Sequence, residues 1–90
     1  VQEREIMLLK GQRNYTEVVM TNGESYLVAR TLKKFSESLS NRFWRVHKGT
    51  IVRSDAVQDI KWGSKPQLTL SNGLVVEAAK TRLNELGLQA

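Results

Sequence analysis

Tyr15-Thr16-Glu17-Val18-Val19-Met20-Thr21-Asn22-Gly23-Glu24-Ser25-Tyr26-Leu27-Val28-Ala29 sets a β-favouring run on each side of an Asn-Gly pair. Asn-Gly suits the positive φ angles of a type I′ turn, so the segment reads as an antiparallel hairpin. The same grammar returns where Ser71-Asn72-Gly73 joins Gln67-Leu68-Thr69-Leu70 to Leu74-Val75-Val76-Glu77. Ile6 to Leu9, Phe43 to Val46, Thr50 to Arg53 and Val57 to Trp62 add further short strands between loops. The predicted fold is mainly β: layered short antiparallel strands with one or two short helices.

Only two stretches carry helical spacing. Thr31 is placed to cap a helix that sets Leu32, Phe35 and Leu39 on one face, with Lys33, Lys34 and Glu37 turned outward. A second helix is predicted from about Ala78 to Leu86, with Leu83 and Leu86 on its inner side and Gly87 as its stop. Both stripes read as core packing. Trp44 and Trp62, each inside a β-rich apolar run, read as core or rim, and Asp55 and Asp59 as surface or turn residues.

The 90 residues make one domain, spanning 1–90, because two independent cores would each fall near the size limit of a self-supporting fold. Beginning on Val1 rather than Met, the sequence is expected to be a fragment of something longer. There is no cysteine, which excludes disulfides, thiolate metal sites and cysteine nucleophiles. His47 is the single histidine, and the phosphate-loop, serine-hydrolase and zinc-protease signatures are all missing. No enzyme, cofactor or metal is expected. No apolar run approaches a membrane span and no targeting pattern opens the chain, so the expectation is a cytoplasmic domain without membrane contact.

Fourteen Lys and Arg against nine Asp and Glu give a net charge of +5, and the excess is concentrated. From Ser38 through Ser54 there is no acidic residue, while Arg42, Arg45, Lys48 and Arg53 fall inside together with His47. Lys10-Gly11-Gln12-Arg13-Asn14-Tyr15, entering the first hairpin, is also free of acids, and Lys80 and Arg82 open the C-terminal helix. Loops carrying these residue types supply phosphate contacts and base-edge hydrogen bonds. Ordinary solvated loops have the same appearance, so charge alone leaves the choice open.

Phe43-Trp44-Arg45-Val46-His47-Lys48-Gly49-Thr50-Ile51-Val52-Arg53 resembles the hallmark of the LytTR family of bacterial DNA-binding domains, F-x-R-x-H-[R/K]-S-x-[L/I]-V-N. The surroundings agree: Asn14-Tyr15 before a hairpin, Arg30-Thr31-Leu32 entering a helix, Ile60 closing a strand, and Asn72-Gly73 before the last strand. The resemblance runs from about Glu5 to Leu86. It implies sequence-specific binding of double-stranded DNA at paired direct repeats in promoters, by loops inserted into successive grooves. It also implies transcriptional control by the output domain of a two-component or membrane-linked regulator, with dimeric or paired binding on DNA.

Residue by residue, the resemblance carries base contacts to Tyr15, Lys48 and Lys80. Backbone or supporting contacts fall to Arg13, Asn14, Arg42, Arg45, His47, Arg53 and Arg82. Gly49, Arg53 and Ala79-Lys80 depart from the family's usual Ser, Asn and Ser-Arg. Lys80 keeps charge but lacks the planar fork that grips guanine with two hydrogen bonds. Lys48 sits at a loop tip beside glycine with no carboxylate near in sequence, whereas Arg45 and His47 read equally well as braces of that loop. The alternatives are a small basic β-domain that binds RNA, although interleaved aromatics for stacking bases are missing, or one that meets an acidic protein partner.

Overall fold

A computed structural model describes residues 2–89. Eight strands are laid down in order: β1 (Ile6–Gln12), β2 (Tyr15–Met20), β3 (Ser25–Val28), β4 (Phe43–His47), β5 (Thr50–Arg53), β6 (Val57–Lys61), β7 (Gln67–Leu70) and β8 (Val75–Glu77). Helix α1 (Leu32–Ser38) lies between β3 and β4, and α2 (Lys80–Glu85) follows β8. The first five strands form one antiparallel sheet in the order β3-β2-β1-β5-β4, and the last three form a second in the order β6-β7-β8. The mainly β, layered reading is the fold observed.

The layers follow from which face each side chain takes. One face of the five-stranded sheet gathers Leu9, Val18, Met20 and Ile51 beneath Leu32 of α1, with Phe35 and Leu39 packed alongside. The other face gathers Met7, Leu8, Val46 and Val52 against Leu68, Leu70 and Val76 of the small sheet and Leu83 of α2. Strict alternation would put Met7 and Leu8 on opposite faces. A register slip between Ile6 and Leu8 lets both enter the same core, and a bulge is the usual device for re-aiming one residue.

Three local readings need correction. Neither Asn-Gly pair is a type I′ turn: Gly23 and Gly73 hold positive φ, and Asn22 and Asn72 do not. Each loop has three residues: the glycine N–H donates to the carbonyl of Met20 or Leu70, the asparagine Oδ1 accepts from the N–H of Glu24 or Leu74, and glycine closes the loop in the left-handed region. The second helix begins at Lys80, not Ala78, because the Ala78 and Ala79 amides are held by the carbonyls of Pro66 and Val46. Leu86 is exposed, since the chain turns at Gly87 (φ +85°) and Leu88 packs against the core in its place.

At α1 the local chemistry matches the pattern: Thr31 Oγ1 accepts from the Lys34 amide, and Leu32 is buried. Trp44 and Trp62 are half-buried at the rim of the larger core. Asp55 does more than solubilise, for it accepts a hydrogen bond from Arg53 Nε.

Candidate nucleic-acid interface

Antiparallel pairing sends alternate connections to opposite ends of the sheet, and this sorts the basic residues. Gln12 pairs with Tyr15, which puts the Arg13-Asn14 turn at the end of β1 and β2. His47 pairs with Thr50, and Lys10 also pairs with Thr50, so the Lys48-Gly49 turn stands at the same end. The amide of Gly11 donates to the carbonyl of Gly49 at 2.9 Å and links the two turns. The amide of Ala79 donates to the carbonyl of Val46 at 2.7 Å, which brings Lys80, the first residue of α2, beside them. Arg13, Asn14, Tyr15, Lys48 and Lys80 are all exposed there.

The Lys48 turn is braced by its own strand. Arg45 donates through Nη2 to the Lys48 carbonyl, and His47 Nδ1 accepts from the Gly49 amide at 3.3 Å. An accepting Nδ1 puts the proton of a neutral ring on Nε2, which faces the Glu77 carboxylate at 3.9 Å. The alternation Arg45-Val46-His47 therefore has a mechanical sense: the outer two side chains satisfy the turn's backbone, and Val46 is fully buried beneath it. Lys48, with its backbone fixed, extends its ammonium into solvent.

Arg13 holds φ at +56°, the single left-handed non-glycine residue among those described. It is the first residue of a two-residue hairpin loop, where such turns require positive φ, and that backbone costs a side-chain-bearing residue stability.

Two predicted contacts, Arg42 and Arg53, lie at the opposite end, while Arg82 stays close to Lys80. Arg42 precedes β4 and lies at the opposite end of that strand from Lys48, near the Glu3 carboxylate whose pKa it helps to lower. Arg53 ends β5 at that far end, and its guanidinium donates to Asp55 and to the carbonyls of Arg4 and Ile6. With a side chain only 13% exposed, it fastens the start of β1 to the end of β5. Arg82 is half-buried within α2, one turn or less behind Lys80.

Sequence reading passed over a further group at the end that carries the Arg13 and Lys48 turns. Thr16, fully buried, donates its hydroxyl to the Arg30 carbonyl at 2.7 Å, so the β3–α1 connection is tied to the base of the Arg13 hairpin. That places Arg30, Lys33 and Lys34 beside the turns. The signal was present in the run from Arg30 to Lys34, but only the pairing of β2 with β3 shows where it lies.

A family model described as the LytTr DNA-binding domain matches residues 1–89. The chain belongs to the LytTR family. Among solved structures, a LytTr DNA-binding domain from Bacillus cereus, described as part of a methyl-accepting/DNA response regulator, superposes with a TM-score of 0.84. It is 21% identical, and the match covers 96% of this chain and 81% of that one. A search of curated proteins finds no match. The LytTR domain is thus a DNA-binding, transcription-regulating domain of mainly β architecture, and its family is not an enzymatic one. No helix among the described residues is long and apolar enough to cross a membrane.

Proposed function

We propose that this LytTR domain reads duplex DNA with the end of the fold that carries the Arg13-Asn14 turn, the Lys48-Gly49 turn and the start of α2. The carrying observation is the convergence of exposed Arg13, Lys48 and Lys80 through the Gly11–Gly49 and Ala79–Val46 backbone hydrogen bonds. Tyr15, Lys48 and Lys80 act as base contacts. Arg13 and Asn14 grip the backbone, and Arg45 and His47 position the Lys48 turn. Arg42 and Arg53 serve the opposite end of the fold. At the far end Glu3, Glu5, Glu24 and Asp55 offset Arg4, Arg42 and Arg53, while Arg13, Lys48 and Lys80 stand with Glu77, beside His47, so the excess positive charge lies at the end proposed to meet a polyanion.

Paired direct repeats in promoters are the target, two copies binding the same face of the duplex, as the cytoplasmic output unit of a two-component or membrane-linked regulator. The test is selection of bound duplexes from a random pool, followed by titration against salt. Affinity should fall with a log–log slope near −4 to −5, for about four to six phosphates engaged. Selected half-sites should lie about one helical turn apart, and moving them by half a turn should remove cooperativity. A slope near zero, or preference for single-stranded RNA or an acidic protein, would overturn this reading.

A further inference from the structure

We infer that Arg30, Lys33 and Lys34 form a basic ledge that clasps the phosphate backbone of the same duplex, flanking the turns that enter its grooves. The inference rests on the DNA-reading role proposed above and extends its footprint to α1, through side-chain cations rather than base-edge contacts.

Position comes first. The ledge is fixed to the turns at two points: the Thr16 hydroxyl holds the Arg30 carbonyl at 2.7 Å, and a Cβ at Gly11 would stand only 3.2 Å from that of Leu32. Gly11 is the residue whose amide is bonded to Gly49. Hairpin, Lys48 turn and first turn of α1 are therefore joined through Thr16 and Gly11. A duplex seated on Arg13 and Lys48 has its backbone beside Lys33 and Lys34.

Charge comes second. No carboxylate lies within ion-pair distance of Arg30, Lys33 or Lys34 among the described residues. Glu37 is four residues after Lys33, the less favourable order for a helical pair, and it makes no such bridge. Both lysines are exposed, while Leu32, Phe35 and Leu39 face the core.

Placement within the helix is the third observation. The first turn of α1 contains no acid, although acids are what the positive N-terminal end of a helix favours. Cations there work against the helix they begin. α2 repeats the arrangement, with Lys80 first and no acid in its opening turn, and it starts at the same end of the fold. The two helices pack on opposite faces of the five-stranded sheet, yet each places cations where folding disfavours them at the same end of the fold, which matches an end selected for an anion. Arg30 is held less freely than the lysines, since its guanidinium lies 5.2 Å from the centre of the Phe35 ring. That contact keeps the Arg30 head at the ledge.

The experiment compares the domain with its Lys33→Gln/Lys34→Gln and Lys33→Arg/Lys34→Arg variants on duplexes about three helical turns long. Fluorescence anisotropy is read across a salt series. Two lost phosphate contacts should reduce the log–log slope by about 1.8 and weaken binding about 30-fold at ~0.15 M salt, alike for preferred and unrelated sequences. The Arg variant should bind as the parent does. Thermal melting of the Gln variant should be unchanged or raised, because cations have been removed from a helix start. Unchanged slope and affinity, with the parent binding normally, would overturn the ledge alone, as would a change in sequence preference without a change in slope. If the parent itself fails to bind duplex DNA, the underlying reading falls as well.

Discussion

The guanidinium of Arg45 donates to the backbone carbonyl of Lys48, three residues ahead in the chain and across the tip of the β4–β5 turn. A charged side chain is thereby spent on holding another in place, and Arg45 Nε is itself buried without a partner. Arg45→Met keeps the apolar stem and removes the donor. It should cost about 1.5–3 kcal/mol of stability, the range for a bond with one charged partner, while DNA affinity falls further than that loss accounts for. Chemical denaturation and anisotropy on the same sample check this. Equal, small effects in both would mean that the turn keeps its shape unaided.

Lys48 and Arg42 are both basic and both exposed, yet they stand at opposite ends of β4. Lys48→Ala should cost about 1–3 kcal/mol on a preferred site and relax preference at one position. Arg42→Ala should stay within about 0.5 kcal/mol of the parent on any duplex, as surface substitutions away from a site do. Competition titrations with point-mutated duplexes separate the two. An equal loss from Arg42→Ala would place the DNA across the sheet rather than at its end.

The contrast between these residues also shows what one-dimensional reading reaches. The acid-free run from Ser38 to Ser54 marks a basic segment, and the alternation of β4 and β5 locates both strands. It cannot say that five strand residues carry Arg42 and Lys48 apart, nor that Arg53 finds acceptors on residues Arg4 and Ile6, far away in sequence. Strand existence is written in local composition; which loops meet is written in register, and register depends on partners. For the same reason Arg30, Lys33 and Lys34 look like an ordinary solvated helix face until the Thr16–Arg30 bond ties them to the hairpin. The misjudged turns have a different cause. Asn-Gly fits several hairpin loops, and the Asn22 and Asn72 side chains select the three-residue form by accepting from the amide two residues on.

Arg13 offers a separation of folding from function. Its backbone at φ +56° costs on the order of 1 kcal/mol for a residue with a Cβ. Arg13→Gly removes that cost, partly offset by the greater freedom of glycine in the unfolded chain. The variant should melt at the parent temperature or slightly above it, and bind DNA about fivefold more weakly at ~0.15 M salt, as loss of one phosphate contact requires. A variant that is both less stable and fully competent on DNA would contradict both halves.

The far end of the fold carries a pH dependence of its own. The Glu3 carboxylate accepts from the Ser40 hydroxyl at 2.6 Å and from the Ser40 amide at 3.0 Å. The hydroxyl bond chiefly, then the amide, and then the charge of Arg42 lower its pKa from the ordinary 4.5. A depressed folded-state pKa stabilises in full above the unfolded value and is lost as pH falls through the folded one. Melting temperature should therefore drop on acidification below about 4.5, and Ser40→Ala should flatten that limb while changing little at neutrality. At alkaline pH the sign reverses at Tyr26, whose hydroxyl donates to Glu24 and whose pKa is raised from 10.0 chiefly by that bond. Its contribution is complete below the unfolded value and disappears as pH rises through the folded one, so Tyr26→Phe should remove that loss.

Gly11 is the point at which core packing and the Arg13 and Lys48 turns meet. Its amide is committed to the Gly49 carbonyl, and an added Cβ would stand 3.2 Å from Leu32 Cβ and 3.5 Å from Leu32 Cδ2. Leu32 is 6% exposed and wedged against Leu9, Val18 and Ile51, so it has little room to retreat. Gly11→Ala therefore requires Leu32 or the Gly11 backbone to give by a few tenths of an ångström, which shifts the start of α1 or loosens β1 from Gly49. Overpacking of this kind costs about 1–3 kcal/mol, a large share of the stability of a domain this small. Either movement shifts Lys33 and Lys34 relative to Lys48. At a temperature where the variant remains folded, affinity should fall for every duplex with base preference kept, because the spacing between contacts has changed and no reader has been lost. Backbone amide exchange supplies the decisive measurement: faster exchange at Gly11 indicates a broken bond to Gly49, and faster exchange confined to α1 indicates a lifted helix. A variant with parent melting temperature, parent exchange and parent affinity would show that α1 and the Lys48 turn are not coupled through this glycine.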